Sequence, residues 1–303
     1  MKTRSEMRKL SSIVLLSLLV TTCAIDSAWA WGPATHVGLA ESVLSQLGVL
    51  PGAIAAILAQ HGLNYVFGSI AADVVFAKRW SRVKQFCHHW STGFKLLEGA
   101  RDDREKAFAY GYLSHLAADT VAHGKYVPRQ VVFSNSSVNF GHLYWELRAD
   151  AAEEPEAWRR LEYVLDDPHH AHHETLADHI RDTFLPYELN RLLFAQMNAL
   201  TMKPSFRRTV DFCGRVSRWP LSQQLLEGYR GESVDRIHDV LTRGLRSSLM
   251  REDPNGTSAL MQVRVCQREI RRMKREGVPI EHRVREVAHG WSPRSKDECE
   301  VYT

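Results

Sequence analysis

A segment in the first half of the chain, from Tyr110 to His123, carries three metal-ligand residues at regular spacing. His115, Asp119 and His123 stand four residues apart within a run of helix-forming residues. Four residues turn an α-helix by about 400°, so the three side chains share one face. They also advance about 6 Å along the axis, which leaves the two histidines about 12 Å apart. Because ligand bonds to zinc are near 2 Å, the segment predicts more than one ion, with Asp119 as the bridge.

A second pair of such residues follows, again at helical spacing. His142 and Glu146 are four residues apart in the run His-Leu-Tyr-Trp-Glu, and at this spacing both side chains can bind a single ion. A lone histidine in a helix is more often hydrogen-bonded within a core than bound to metal, but five ligand-type residues in two spaced sets favour metal binding. Further candidates lie upstream, each of them weak alone: His36, Asp73, and the adjacent His88 and His89.

Apolar residues recur at intervals of three and four along much of the chain, which is the period of amphipathic helices. This pattern predicts helices over residues 37–50, 53–60, 104–123, 141–152, 185–201, 234–249 and 258–275. Short polar linkers are expected at 128–139, 166–173 and 253–256, and the histidine-rich stretch 169–173 is interpreted as a solvated loop or helix start rather than a further metal site. The fold class is therefore predicted to be all-α, as a single multi-helix domain.

The first thirty residues have the pattern of a signal peptide. Basic residues open the segment, an apolar stretch spans 13–20, and Ala28-Trp29-Ala30 forms a small-residue cleavage site. Cleavage there makes Trp31 the first mature residue and predicts export, to the periplasm or beyond. Cys23 leaves a lipoprotein signal open, although the residues before it lack the small Gly or Ala of such sites. The apolar stretch is too short for a transmembrane helix, and none is predicted later.

Length and charge narrow the function further. Without residues 1–30 about 270 residues remain, which fits one domain over 31–303. The net charge of +4 gives no strong polyanion-binding signature, so nucleic acid is the less favoured partner. After cleavage four of the five cysteines remain, and this even number allows two disulfides in an exported chain. The absence of a CxxC pair argues against a thiolate zinc site. The four cysteines concerned, whose pairing is undetermined, are Cys87, Cys213, Cys266 and Cys299.

In their order along the chain, these residues resemble the family of the bacterial zinc-dependent phospholipase C, with which the amino-terminal domain of glycosylphosphatidylinositol phospholipase D and, more distantly, fungal single-strand nucleases are grouped. The resemblance covers residues 31–150. Its matching positions are Trp31, His36, Asp73, His88 or His89, His115, Asp119, His123, His142 and Glu146. Of the two adjacent histidines, His89 is preferred because the aromatic Trp90 follows it directly, whereas His88 fits the spacing from Asp73 in some branches of the family.

The resemblance implies three zinc ions. The first would be held by Asp73, one of the adjacent histidines, His115 and the bridging Asp119. The second would be held by the free amine and carbonyl of Trp31 with His36 and Asp119, and the third by His123, His142 and Glu146. The resemblance also implies that zinc-activated water hydrolyses phospholipid head-group esters at a membrane surface, with Asp73 orienting or deprotonating that water.

Two alternatives stay open at this stage. A single-strand nuclease or nucleotidase would use the same cluster with aromatic residues to stack bases, and a non-catalytic zinc-binding protein for host interaction would hold ions without turnover. The eight-residue separation of His115 and His123, and Glu146 where the nucleases have Asp, favour a phospholipid substrate. Head-group preference, the side of the phosphate that is cut and the oligomeric state are not determined by these residues.

Overall fold

A computed structural model describes residues 31–75, 86–166, 169–179 and 185–293. Within these ranges the chain forms α-helices joined by short 3-10 helices and turns, and no β-strand is found there. The predicted all-α class is confirmed. The α-helices are α1 (Pro33–Leu44), α2 (Gly52–Gln60), α3 (Gly62–Ala71), α4 (Trp90–Glu98), α5 (Asp103–Val121), α6 (Val127–Ser134), α7 (Val138–Ala151), α8 (Pro155–Asp166), α9 (His170–His179), α10 (Tyr187–Thr201), α11 (Pro204–Val216), α12 (Gln223–Arg243), α13 (Thr257–Arg275) and α14 (Glu281–His289).

Helix α5 is the central element, with α3, α4 and α12 packed against it. Its contact with α3 is close because two glycines face each other. A Cβ atom on Gly68 would overlap the carbonyl oxygen of Phe108, and one on Gly111 would overlap the carbonyl oxygen of Tyr65. The two backbones therefore approach to a distance that only glycine permits. This approach brings the end of α3 beside the histidine-bearing face of α5.

The two ends of α5 are fixed by local interactions. At its start, the side chain of Asp102 accepts a hydrogen bond from the backbone amide of Glu105 (2.9 Å), and Asp103 adds a second carboxylate in the first turn. Carboxylates at a helix amino terminus accept hydrogen bonds from free amides and interact favourably with the positive end of the helix dipole. At its end the helix widens into a π-helical turn, Ala122–Tyr126, which contains His123. The helix predicted over 104–123 is thus confirmed, with its last residues in a π-turn.

Helix α1 is attached to α7 through one buried carboxylate. The side chain of Asp150 accepts hydrogen bonds from the amide and hydroxyl of Thr35, both at 2.8 Å, and from the amide of Ala34 at 3.4 Å. A helix has free amides in its first turn that need acceptors, and here the acceptor comes from another helix. The carboxylate therefore sets where α1 begins and how it lies on α7.

Two predicted linkers are helical, and those predictions are wrong. Residues 127–134 form α6, and α9 begins at His170. The helix start predicted for the histidine-rich stretch is confirmed, but His169 and His172 are buried rather than solvated. The ring of His169 stacks on Phe67 with centroids 4.0 Å apart, and that of His172 stacks on Phe108 at 4.5 Å. Imidazole rings pack well on aromatic faces, and this packing draws a polar stretch into the interior.

Two further sequence predictions concern membrane spans and cysteines. In the described part of the chain no single helix has the length and apolar composition to span a membrane, although Gly52–Gln60 and Gly62–Val74 meet both conditions as a pair bent by 93°. Cys87 is buried, Cys213 is exposed and Cys266 is half-buried. No disulfide joins any two of these three cysteines, so the two expected disulfides are not both formed. Cys299 and residues 1–30 lie outside the described ranges, and the signal peptide stays a prediction.

Candidate metal centre

Separate elements bring five ligand-type side chains to one buried place. They come from α1, from the 3-10 helices Ala72–Val74 and Phe86–His88, and from α5. Each of these residues is at most 2% exposed: His36, Asp73, His88, His115 and Asp119. Burial of so many ionisable groups together is costly unless something pairs them, so the arrangement points to a bound cation.

Four of these side chains surround one point. Nε2 of His88 lies 3.3 Å from Oδ1 of Asp73 and 3.2 Å from Oδ2 of Asp119, and the same Asp119 oxygen lies 3.2 Å from Nε2 of His115. The two Nε2 atoms are 3.0 Å apart. Around a tetrahedral zinc ion with bonds of 2.0–2.1 Å, ligand atoms are separated by about 3.3–3.4 Å. The observed separations match such a site to within a few tenths of an ångström.

The other oxygen of Asp119 faces a different histidine. Its Oδ1 lies 3.4 Å from Nε2 of His36, whose ring stacks on that of His115 with centroids 4.0 Å apart. The ligand atoms of His36, Asp73 and His115 also lie within 4.8 Å of one another. A carboxylate with its two oxygens directed at two groups of nitrogen ligands has the geometry of a bridge between two ions.

The third expected set lies next to this cluster. Nε2 of His142 and Oε1 of Glu146 are 3.0 Å apart on α7. The ring of His123 stands edge-on to that of His142 with centroids 5.0 Å apart, and its Nε2 lies 3.7 Å from Oδ2 of Asp119. The three side chains thus converge more loosely than the four around His88. Among the described residues, the tight three-ligand groups are those that contain His115.

Backbone groups and a tyrosine orient the histidines of the tight group. Nδ1 of His115 lies 2.9 Å from the carbonyl oxygen of Ser69 at the end of α3, so Nδ1–H donates there and Nε2 is left for a cation. The hydroxyl of Tyr112 donates to the carbonyl oxygen of Cys87 at 2.5 Å. This bond ties the segment that carries His88 to α5, one turn before His115.

Two predicted ligands are placed differently from the others. His89 is exposed at the start of α4, and the buried neighbour His88 takes the position in the cluster. The preference for His89 is therefore corrected to His88: the chain direction turns only one of two adjacent side chains inward, and here that is His88. The ring of Trp31 is fully buried and stacks on Tyr126 at 4.7 Å, while its role as an amine ligand stays a prediction.

The protonation states suit cation binding. Burial lowers the pKa of His36, to which nearby His115 contributes, and burial holds the pKa of His123 well below its usual range. Both rings are therefore neutral near pH 7 and can offer a lone pair. Burial works to raise the pKa of Asp119, but the adjacent His115 and His123 outweigh it and keep that pKa well below its usual range. Burial raises the pKa of Glu146 to about 7.

The unsatisfied polar atoms test whether a metal fits. Several buried side-chain atoms make no hydrogen bond with proper geometry, and the 3.0 Å contact of His142 with Glu146 is among the misaligned ones. Such an atom costs about 1–3 kcal/mol when left without a partner. The atoms that belong to expected ligands are Nε2 of His36, Oδ1 of Asp119, Nδ1 of His123, Nε2 of His142 and Oε1 of Glu146. All are nitrogen or oxygen donors that zinc accepts, so the residues fit the ion.

The sequence interpretation missed residues that support the ligands. Asp150 positions α1, and with it His36, through the first-turn amides. A signal for it exists, since it continues the four-residue spacing of His142 and Glu146 on α7. The side chain of Asn255 donates to the carbonyl oxygen of His88 at 3.2 Å. No local pattern connects residues so far apart, so this contact could not be foreseen.

Comparison with known proteins agrees with this geometry. The family described as zinc dependent phospholipase C matches residues 35–199, more than half of the chain. The matched stretch contains all the proposed ligands except Trp31. No curated protein and no solved structure matches the chain. With its buried histidines and aspartates placed to hold metal, the chain belongs to the zinc-dependent phospholipase C family.

Proposed function

We propose that this protein is an exported phosphodiester hydrolase of phospholipase C type, which cleaves phospholipid head-group esters at a membrane surface. The observation that carries the proposal is the carboxylate of Asp119. Its Oδ2 lies 3.2 Å from the Nε2 atoms of His88 and His115, and its Oδ1 lies 3.4 Å from Nε2 of His36. A multinuclear phosphodiesterase needs such a shared ligand, whereas a single structural zinc site does not.

The proposal assigns three zinc ions. Asp73, His88, His115 and Asp119 would hold the first, the amine and carbonyl of Trp31 with His36 and Asp119 the second, and His123, His142 and Glu146 the third. Bound zinc would polarise phosphoryl oxygens and bring the pKa of water toward neutrality. Asp73 is buried at 3.3 Å from His88, and we assign to it the further task of orienting the attacking water and accepting its proton.

The exposed face of α13 supports contact with an anionic bilayer. Met261 and Val265 are 61% and 54% exposed and follow one another at helical spacing. Exposed arginines continue the same side of the helix at positions 264, 268 and 272. Apolar side chains next to cations match the boundary between head groups and acyl chains. The anionic bilayer and this basic face of α13 thus have opposite charges.

Vesicle sedimentation tests this contact. A triple variant with Gln at Arg264, Arg268 and Arg272 should bind phosphatidylcholine vesicles containing phosphatidylglycerol several-fold more weakly, and the difference should shrink at high salt. The control is the same change at Arg207, Arg208 and Arg215 on α11, which removes equal charge. Equal binding by the two triple variants would reject α13 as the contact.

Product analysis tests the reaction. Zinc-loaded mature protein is incubated separately with phosphatidylcholine, phosphatidylinositol, single-stranded DNA and RNA. Release of diacylglycerol or of the phosphorylated head group from lipid is expected, together with its loss in Asp119→Asn and its retention in Asp103→Asn, an exposed change on the same helix. Nucleotide release instead would make the protein a nuclease. No turnover by fully loaded protein would leave a non-catalytic zinc-binding protein.

Elemental analysis tests the number of ions. Asp119→Asn should lose two ions because it removes the bridge, whereas Glu146→Gln should lose one. Asp103→Asn should match the wild type. Equal losses in the first two variants would contradict the bridging assignment, and a wild-type content of one ion or fewer after zinc loading would contradict the cluster.

A further inference from the structure

A turn far along the chain packs directly on the metal centre. Glu252 to Gly256, called here the 252–256 turn, joins α12 and its following 3-10 helices to α13, and it lies outside the residues that match the family. Its last three residues, Pro254 to Gly256, are buried. Asp253 closes the turn by accepting hydrogen bonds from the amides of Asn255 (2.9 Å) and Thr257 (3.0 Å). The turn therefore has one fixed shape.

The side chain of Asn255 contacts the segment that carries His88. Its Nδ2 donates to the carbonyl oxygen of His88 at 3.2 Å and to Oδ1 of Asp253 at 3.0 Å. Both hydrogens of the amide are thus used, and the side chain is only 6% exposed. His88 ends a 3-10 helix of three residues, which is too short to hold its own position. The hydrogen bond from Asn255 fixes the position of the His88 backbone.

Gly256 contacts the other side of the centre. Its φ angle is +61°, in the left-handed region that favours glycine. A Cβ atom there would overlap the carbonyl oxygen, carbonyl carbon and Cβ of His123. The backbone of the turn therefore lies against the backbone of the π-turn that carries His123. No side chain fits between them.

The turn is itself anchored to elements that carry ligands. The indole nitrogen of Trp90, two residues after His88, donates to the carbonyl oxygen of Glu252 at 2.9 Å. The carboxylate of Glu252 accepts a hydrogen bond from Arg236, which also donates to Oγ1 of Thr120 at 2.7 Å. Thr120 follows Asp119 in α5. A displacement of the turn would therefore also shift Trp90 at the start of α4 and, through Arg236, Thr120 in α5.

From these contacts we propose that the 252–256 turn positions two zinc ligands that belong to different ions: Asn255 fixes His88 and Gly256 fixes His123. The inference rests on the proposed zinc centre. It assigns a role to a part of the chain beyond the family match. Asn255 and Gly256 are positioning residues, since neither touches the site of the ions.

Zinc affinity, measured by competition with a chelator, tests the role of Asn255. Asn255→Ala should lower the affinity of one ion by about 10–100-fold, the usual effect of losing a group that holds a ligand in place. The matched control is Asn139→Ala, at an exposed position on α7. Unfolding of the metal-free variants is followed in parallel. A loss of stability with unchanged zinc affinity would mean a merely structural role and would overturn the proposal.

A second variant separates the two contacts. Gly256→Ala should displace His123 and weaken a different ion, so that the double variant with Asn255→Ala lacks one ion more than either single variant. Gly231→Ala is the control, because a Cβ on that helical glycine meets nothing within 4 Å. If single and double variants lose the same ion, the assignment of the turn to two ions is wrong. Failure of the wild type to bind zinc would instead overturn the proposed function.

Discussion

At the scale of single residues, the centre depends on which side of the backbone a side chain faces. His88 and His89 are adjacent, yet the first is 1% exposed and lies in the cluster while the second is exposed. The two guides in the sequence disagreed, since Trp90 follows His89 directly whereas the spacing from Asp73 fits His88. Trp90 instead donates its indole N–H to the carbonyl oxygen of Glu252. An aromatic neighbour is therefore a weak guide to the ligand.

Substitution of each histidine gives a direct comparison. His88→Ala should reduce turnover by at least about 100-fold, because loss of a ligand opens a coordination position and weakens the field at the substrate. His89→Ala should retain most activity and a full complement of zinc. Initial rates on lipid and zinc content are measured for both. Greater damage from His89→Ala would restore the original preference.

At the scale of elements, the sequence predicted those pairs of ligands that share a single helix. The spacing of His115 and Asp119, and of His142 and Glu146, predicted shared helix faces, and both pairs lie on helices, α5 and α7. The π-turn at Ala122–Tyr126 was not predicted, because nothing in its composition distinguishes it from the α-helix before it. Local periodicity predicts which residues share one face of a helix. It does not predict how helices pack against one another.

The contact between α1 and α7 shows what the packing of two helices controls at the metal centre. Asp150→Ala would leave the first-turn amides of α1 without their acceptor, which should lower the free energy of unfolding by about 1–2 kcal/mol. It should also weaken the ion held by His36, which follows Thr35 directly. Urea unfolding and zinc titration measure the two effects, with Asp150→Asn as the milder variant that keeps an acceptor oxygen. An effect on neither quantity would show that α1 is held by other contacts.

At the scale of the whole molecule, the all-α class follows from periodicity, but the assembly of the centre does not. His36, Asp73, His88 and Asn255 come from distant parts of the chain, and only the packing of α1, α3, α5 and the 252–256 turn joins them. The resemblance to a known family supplied His36, Asp73 and the adjacent pair His88 and His89 before geometry did. The family match ends at residue 199, so it gave no sign of the turn.

Stability should depend on pH through Glu153. Burial raises its pKa to about 7 despite the nearby Arg230, 2.5 Å away. A carboxyl group whose pKa is raised on folding stabilises the fold below its unfolded pKa, near 4.5, and this contribution is lost as pH rises through about 7. Glu153 should therefore lower the stability of the metal-free wild type by up to about 3 kcal/mol over this range, and Glu146, whose pKa burial also raises to about 7, should add to the loss. Glu153→Gln should make the profile shallower, and Glu154→Gln, at an exposed position, should not.

The start of the mature chain gives a second test at this scale. If Trp31 binds zinc through its own amine, only cleavage after Ala30 can provide that group. An α-amine has a pKa of about 7.7–8.0, so a cation can displace its proton near neutral pH, whereas an amide nitrogen is a poor ligand. Protein that begins at Trp31 should hold one ion more than protein with one extra residue. Equal zinc contents would reject the amine as a ligand.

The burial of the centre also has a kinetic consequence. His36, Asp73, His88, His115 and Asp119 are each at most 2% exposed, so a chelator cannot compete for an ion at their donor atoms until these side chains move apart. The dissociation rate of the ion is then set by local opening of the protein and becomes independent of chelator concentration once chelator is abundant. Isotopic exchange of zinc would accordingly report how often α5 and the 252–256 turn part, even under conditions in which the fold is intact.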